Sequence, residues 1–230
     1  MDRMEWLEQS RLTVVVGYSG SGKTEFSVNL ALALARQGKR TALADMDVVN
    51  PYFRSRERRD LLSHEGVRLI ATSQACVDAD VPAMPAEVNV LFQDQDLWGV
   101  LDIGGGGVGA RVLARYRPQL LGSQCRVLFV LNARRPQTRD VEGALASLEE
   151  IQAVTGLRVT GLVDNTHLCR ETELADLEAG AALARTASSQ TGLPVVCHVV
   201  QEELIDQAEG MPGPLFPVRL YMNRPWEMDE

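Results

Sequence analysis

The stretch Gly17-Tyr18-Ser19-Gly20-Ser21-Gly22-Lys23-Thr24 satisfies G-x-x-x-x-G-K-[ST] at every fixed position. Glycines let a backbone turn tightly enough for its N–H groups to converge on phosphate oxygens. A helix opening near Gly22 adds the partial positive charge of its N-terminus. In such a P-loop Lys23 reaches the β- and γ-phosphates, and the Thr24 hydroxyl sits on magnesium. The flanks suit the motif. Leu12–Val16 is a near-continuous apolar run, as in a strand buried on both faces. A helix to about Gln37 follows, with Phe26, Leu30, Ala33 and Leu34 at helical spacing and Gly38 as its stop.

Working outward, short apolar runs alternate with longer helical stretches, the pattern of a parallel α/β sheet. Strands are expected at Thr41–Ala44, Val67–Ile70, Leu97–Leu101, Arg126–Leu131, Leu157–Val163 and Pro194–Val200. Helices are expected at Thr138–Val154 and Thr172–Gln190, and Pro82–Asp94 reads as a short helix or a loop. The expectation is one domain over residues 1–230: an α/β fold with a single doubly wound, mostly parallel sheet flanked by helices. Residues 211–230, rich in proline and ending in Glu227, Asp229 and Glu230, are expected to form an irregular acidic tail.

Composition narrows the function classes. The chain has 230 residues and a formal net charge of -8, with no basic run to offset it. A non-specific grip on nucleic acid needs clustered positive charge and is not expected. Met1 to Ser10 carries Asp2, Glu5 and Glu8 and no apolar core, so it does not read as a signal peptide. No apolar stretch approaches the roughly 20 residues that span a bilayer. Cys76, Cys125, Cys169 and Cys197 are scattered, without a close pair, which suits free thiols in a reducing compartment. The expectation is a cytoplasmic protein without nucleic-acid or membrane partners. His64, His167 and His198 read as ordinary surface or core histidines.

Ligands of α/β sheets bind beyond the carboxyl ends of the strands. Asp45, Asp47 and Asp102 stand at such ends. Asp102 follows Leu97-Trp98-Gly99-Val100-Leu101, the pattern of a Walker B aspartate, which holds magnesium through water. Asp102-Ile103-Gly104-Gly105 also reads D-x-x-G, so the Gly105 N–H could sense a γ-phosphate.

At Asp45-Met46-Asp47-Val48-Val49-Asn50-Pro51 the chain resembles the MinD/ParA/CobQ–CobB class of P-loop nucleotide-binding proteins. In that class an acidic motif ends the strand after the P-loop helix, and one aspartate positions the attacking water. The implied match is Asp47, beside Asp45. Gly161-Leu162-Val163-Asp164-Asn165 resembles the class's strand ending in a base-reading asparagine, and Asn132 is placed in the nucleotide pocket. Gly192-Leu193-Pro194-Val195 and Gln201-Glu202-Glu203 resemble its last strand and the acidic loop beside adenine. The resemblance runs to about Ala208. It departs at Tyr18, where many members carry a second lysine that crosses a dimer interface. Arg54, Arg56, Arg58 and Arg59 follow the acidic motif; Arg54 or Arg56 reads either as a cation that approaches phosphate or a partner, or as part of a solvated helix with Glu57 and Asp60.

The resemblance implies ATP and magnesium as ligands, a nucleotide-dependent homodimer and a client protein. Lys23 and Asp47 are the expected catalytic pair. Nucleotide contacts are expected at Gly17, Ser19, Gly20, Ser21, Gly22, Lys23, Thr24, Glu25, Gly105, Asn132 and Asn165. Metal contacts are expected at Thr24, Asp45, Asp47 and Asp102. Three functions fit: a slow ATPase acting as a switch, an ATP-dependent ligase or transferase, and a non-hydrolysing regulatory module. No N-K-x-D guanine-reading motif occurs.

Overall fold

The computed structural model describes residues 4–47, 58–71 and 86–222. In chain order the elements are β1 (Leu12–Gly17), α1 (Lys23–Arg36), β2 (Thr41–Met46), α2 (Arg59–His64), β3 (Val67–Ile70), α3 (Val90–Gln93) and β4 (Trp98–Ile103). Then come α4 (Gly106–Ala110), α5 (Val112–Leu121), β5 (Cys125–Leu131), α6 (Val141–Thr155), β6 (Gly161–Asp164), α7 (Leu174–Thr191), β7 (Val195–Gln201) and β8 (Leu215–Val218). The eight strands form one sheet in the order β3-β2-β4-β1-β5-β6-β7-β8. Every pairing is parallel. All carboxyl ends therefore lie along one edge.

Alternation along the strands divides the core. Val14 and Val16 face one side with Leu101 and Phe129, covered by Leu113, Tyr116, Leu148 and Ile151. Val15 faces the other with Val100, Leu128 and Val130, covered by Phe26, Leu30 and Leu34. Two-sided cover is why the central strands read as unbroken apolar runs. The fold class is the expected one, a single sheet flanked by helices, and it is wholly parallel.

Three local expectations are corrected. The strand expected from Leu157 begins only at Gly161. Leu157 N bonds the Thr155 hydroxyl and Val159 N bonds the Gln152 side chain, so these donors serve the end of α6 instead of a ladder. Helices α4 and α5 follow the D-x-x-G loop, where no element was expected. Within the stretch expected to be irregular, Leu215–Val218 pairs with β7 as β8. Pro217 is exposed on that edge strand, the position in a sheet where a missing N–H is tolerated. Residues 223–230 lie outside the described residues.

The sheet's amino edge is closed by a buried arginine. Arg126 donates from Nε to Thr13 Oγ1 at 2.9 Å and from its terminal nitrogens to the carbonyls of Trp6 and Leu7. It also lies 5.2 Å over the Trp6 ring. Burial pushes its guanidinium down to about 10. Trp6 in turn packs on Phe26 and Phe216. Replacing Arg126 with methionine leaves two buried carbonyls without donors. We expect a stability loss of about 3 kcal/mol, read by urea denaturation. A loss under about 0.5 kcal/mol would mean that water replaces the arginine.

Candidate nucleotide site

The turn from β1 into α1 is built around backbone donors. Gly22 sits at φ +82°, a left-handed conformation that side chains rarely adopt. A β-carbon there would fall 2.3 Å from Asn165 Nδ2 and 2.6 Å from His167 Nε2. Among the described residues no side chain caps the start of α1, whereas Asp140 caps α6 and Glu173 with Asp176 forms a capping box on α7. The first N–H groups of α1 thus keep their donors for a ligand.

Lys23 is buried at the first turn and donates to the Tyr18 carbonyl at 3.0 Å, which draws it across the loop. Burial lowers its pKa from the usual lysine range, while the charges of Asp102 and Asp47 oppose that shift. Both carboxylates therefore act on the ammonium group. Asp45 and Asp102 are paired in register at the ends of neighbouring strands β2 and β4. Asp45 Oδ1 accepts from the Asp47 backbone N–H at 3.2 Å. Asp102 Oδ1 accepts from the Ser27 hydroxyl, one turn into α1, at 3.1 Å. All three aspartates are buried.

Could this donor set hold magnesium? Among the described residues no group of three or more His, Cys, Asp or Glu side chains makes a cage by itself. Magnesium does not require one. It keeps several waters and takes one or two carboxylates together with substrate phosphates. Buried hard-oxygen donors beside a phosphate-binding turn fit that ion. Thr24 and Asp102 would hold it, with Asp45 and Asp47 next to them.

The D-x-x-G loop touches both parts of the site. A β-carbon on Gly104 would lie 2.8 Å from Asp47 Oδ1. One on Gly105 would lie 2.7 Å from Ser19 Cα and 2.9 Å from Ser19 Cβ and N. Glycine at 105 is therefore a steric requirement for the two loops to meet. We expect Gly105→Ala to reduce nucleotide affinity about tenfold, roughly 1.4 kcal/mol, in a calorimetric titration. Unchanged affinity would show that the loops slide past each other at no cost.

Several expected contacts have other partners. Glu25 turns its carboxylate to the C-terminal segment, accepting from the Tyr221 N–H at 2.7 Å and the Met222 N–H at 3.1 Å. Burial raises its pKa, with those two hydrogen bonds opposing. One turn on, Asn29 both donates to the Arg219 carbonyl and accepts from its N–H, each at 3.0 Å. The sequence reading missed this clamp, because 190 residues separate its parts and the segment has no motif. Asn132 is fully buried and engaged with loop backbone: its Nδ2 donates to the His167 carbonyl, and its Oδ1 accepts from the Arg134 N–H at 2.9 Å. Asn165 donates to the Ser21 carbonyl at 2.9 Å and so props the P-loop from behind. Arg54 and Arg56 lie outside the described residues. Arg59 is exposed on α2, and Arg58 acts on Glu25 by its charge.

His198, expected to be an ordinary surface or core histidine, lies in the core. Its Nδ1 lies 2.8 Å from Asp164 Oδ2, both groups buried on adjacent strands, and Asp164 Oδ1 accepts from Thr166 Oγ1 at 2.8 Å. The carboxylate at the end of β6 is thus engaged inside the fold.

Residues 12–205 match the family model described as the CobQ/CobB/MinD/ParA nucleotide binding domain. No curated protein matches the chain. Among solved structures, FtsY of Thermotoga maritima is similar at 20% identity and TM-score 0.57, covering 82% of this chain and 61% of that one. FtsY of Mycoplasma mycoides is similar at 17% identity and TM-score 0.54, covering 80% and 58%. The 54 kDa signal recognition particle protein of Aeropyrum pernix, solved with GDP, is similar at 18% identity and TM-score 0.51, covering 82% and 41%. The chain thus spans at most about three fifths of these structures' length.

Proposed function

Because the chain belongs to the CobQ/CobB/MinD/ParA nucleotide-binding domain family, we propose that it binds ATP with magnesium and acts as a slow ATPase, a nucleotide switch on a partner protein. The observation that carries this reading is a buried lysine at an uncapped helix start, with the buried carboxylates of Asp102 and Asp47 acting on it. Bound magnesium would supply positive charge against the developing phosphate oxyanions. Lys23 adds its own charge from the side of the loop. Asp47, whose backbone N–H is held by Asp45 and whose carboxylate lies beside Gly104, would accept a hydrogen bond from a water and aim it at the terminal phosphorus. Little covalent chemistry is asked of the protein, since positioning and charge supply most of phosphoryl transfer.

The contact of Gly105 with Ser19 supports the switch reading. A change at the terminal phosphate would reach α4 through that loop, and Val108 on α4 is an exposed apolar side chain suited to a protein partner. We take the active form to be a nucleotide-dependent homodimer. Adenine is favoured over guanine because Asp164 is bonded to His198 and Thr166 and so is not placed to pair with a guanine edge. A cytoplasmic setting suits the free thiols Cys125, Cys169 and Cys197. Among the described residues no helix is long and apolar enough to cross a membrane. The -8 charge argues against a nucleic-acid partner.

The test is phosphate release from magnesium ATP, alongside calorimetric affinities for ATP and GTP. Slow release with a preference for ATP is the expected result. Release that needs an added small acid would favour a ligase. Nucleotide bound tightly and recovered intact would favour a regulatory module. Preference for GTP would overturn the adenine assignment.

A further inference from the structure

We propose that Arg135 contacts the terminal phosphate of the bound nucleoside triphosphate from within the same chain. This rests on the nucleotide-binding reading above and adds a residue to it. Arg135 Nε donates to the Gly20 carbonyl, in the middle of the P-loop, at 2.7 Å. Its side chain covers Gly20 so closely that a β-carbon there would lie 3.0 Å from Nε and 3.2 Å from Cζ. A guanidinium has five N–H donors, so one bond to Gly20 leaves both terminal nitrogens to meet an anion held by the loop.

Charge makes the case from a second direction. Lys23 is buried beside the carboxylates of Asp102 and Asp47, which act on its charge. Tyr18, next in the loop after Gly17, adds no charge. A triphosphate brings further negative charge, and its transfer develops more at the terminal oxygens. Arg135 is a cation from outside the loop that bonds it directly. Its neighbours have carboxylate partners: Arg134 bonds Asp176 at 2.5 Å, and Arg139 lies 3.7 Å from Asp140. The partner of Arg135 is a neutral carbonyl.

The backbone beneath Arg135 is held in place. Its N–H bonds the Asn132 carbonyl at 3.2 Å, and its carbonyl accepts from the Thr138 N–H at 3.0 Å. The Thr138 hydroxyl bonds the Asn132 carbonyl at 2.9 Å. The buried Asn132 thus builds the turn that presents the arginine. A preplaced cation loses little freedom on contact and discriminates by the presence of the third phosphate.

The test compares ATP and ADP affinity, with magnesium, for wild type, Arg135→Ala, Arg135→Lys and Arg139→Ala, with phosphate release read in parallel. Arg135→Ala should lower the ATP-to-ADP affinity ratio at least tenfold while ADP binding stays within about threefold. Arg135→Lys should recover part of the ratio, and Arg139→Ala should leave it unchanged. Phosphate release by Arg135→Ala should fall about a hundredfold. Wild type that prefers ATP together with an Arg135→Ala variant that prefers it equally would overturn this inference alone. So would equal loss of ATP and ADP, which would assign Arg135 to holding Gly20 in place. Wild type that binds neither nucleotide would overturn the functional reading itself. The affinity ratio judges Arg135 even in a chain that hydrolyses nothing.

Discussion

Lys23→Ala is expected to reduce magnesium ATP affinity or turnover about a thousandfold, the scale of losing a preorganised charged donor to phosphate. The same change should also lower the stability of the free protein. Lys23 is buried among Asp47 and Asp102, and its ammonium donates to the Tyr18 carbonyl. Truncation removes that charge from beside two buried carboxylates, at a cost of about 2 kcal/mol. Saturating magnesium should restore part of this loss, because a cation can take the vacated place among the aspartates. Calorimetry with ATP and thermal melts with and without magnesium read both effects. A variant that keeps ATP affinity within threefold of wild type would remove Lys23 from the phosphate site. A variant of unchanged stability would mean that the aspartates relax into solvent.

Asp47→Asn should separate binding from chemistry. The substitution keeps the side-chain shape and removes the charge. Orientation and polarisation of a water by a carboxylate contribute about a hundredfold or more. We therefore expect phosphate release to fall about a hundredfold while ATP affinity stays level or rises, since one negative charge near the phosphates is gone. The Asp47 backbone remains bonded to Asp45 Oδ1, so the strand end should keep its form. Equal loss of affinity and turnover would make Asp47 a metal contact instead of a water-orienting group. Unchanged turnover would place water orientation elsewhere, with the Gly104–Gly105 backbone the next candidate.

Much of the site was legible in the sequence because its parts are local. Gly17 to Thr24 is one turn and one helix start, and its function follows from backbone geometry over eight residues. Asp45, Asp47 and Asp102 could be assigned to strand ends because each follows an apolar run. Their proximity follows from parallel pairing, which set β2 beside β4 with Asp45 opposite Asp102. Glu25, Asn132 and Asn165 show the opposite case. Their positions near the loop could be read, but their hydrogen-bond partners could not. A carboxylate one residue past the P-loop could face ligand or protein, and packing of residues 219–222 against α1 settled it for protein.

The sequence by itself determined the phosphate-binding turn, the alternation of strand and helix, and the three carboxylates at strand ends. Each depends on spacing within a few residues, where backbone geometry leaves little choice. Only the tertiary structure decided that β8 closes the sheet, that Arg126 seals its amino edge, and that Arg135 rests on Gly20 from 115 residues away. Those contacts depend on which elements the sheet order brings together. No local propensity encodes that order, because burial of apolar area on both faces of the sheet selects it for the whole chain at once.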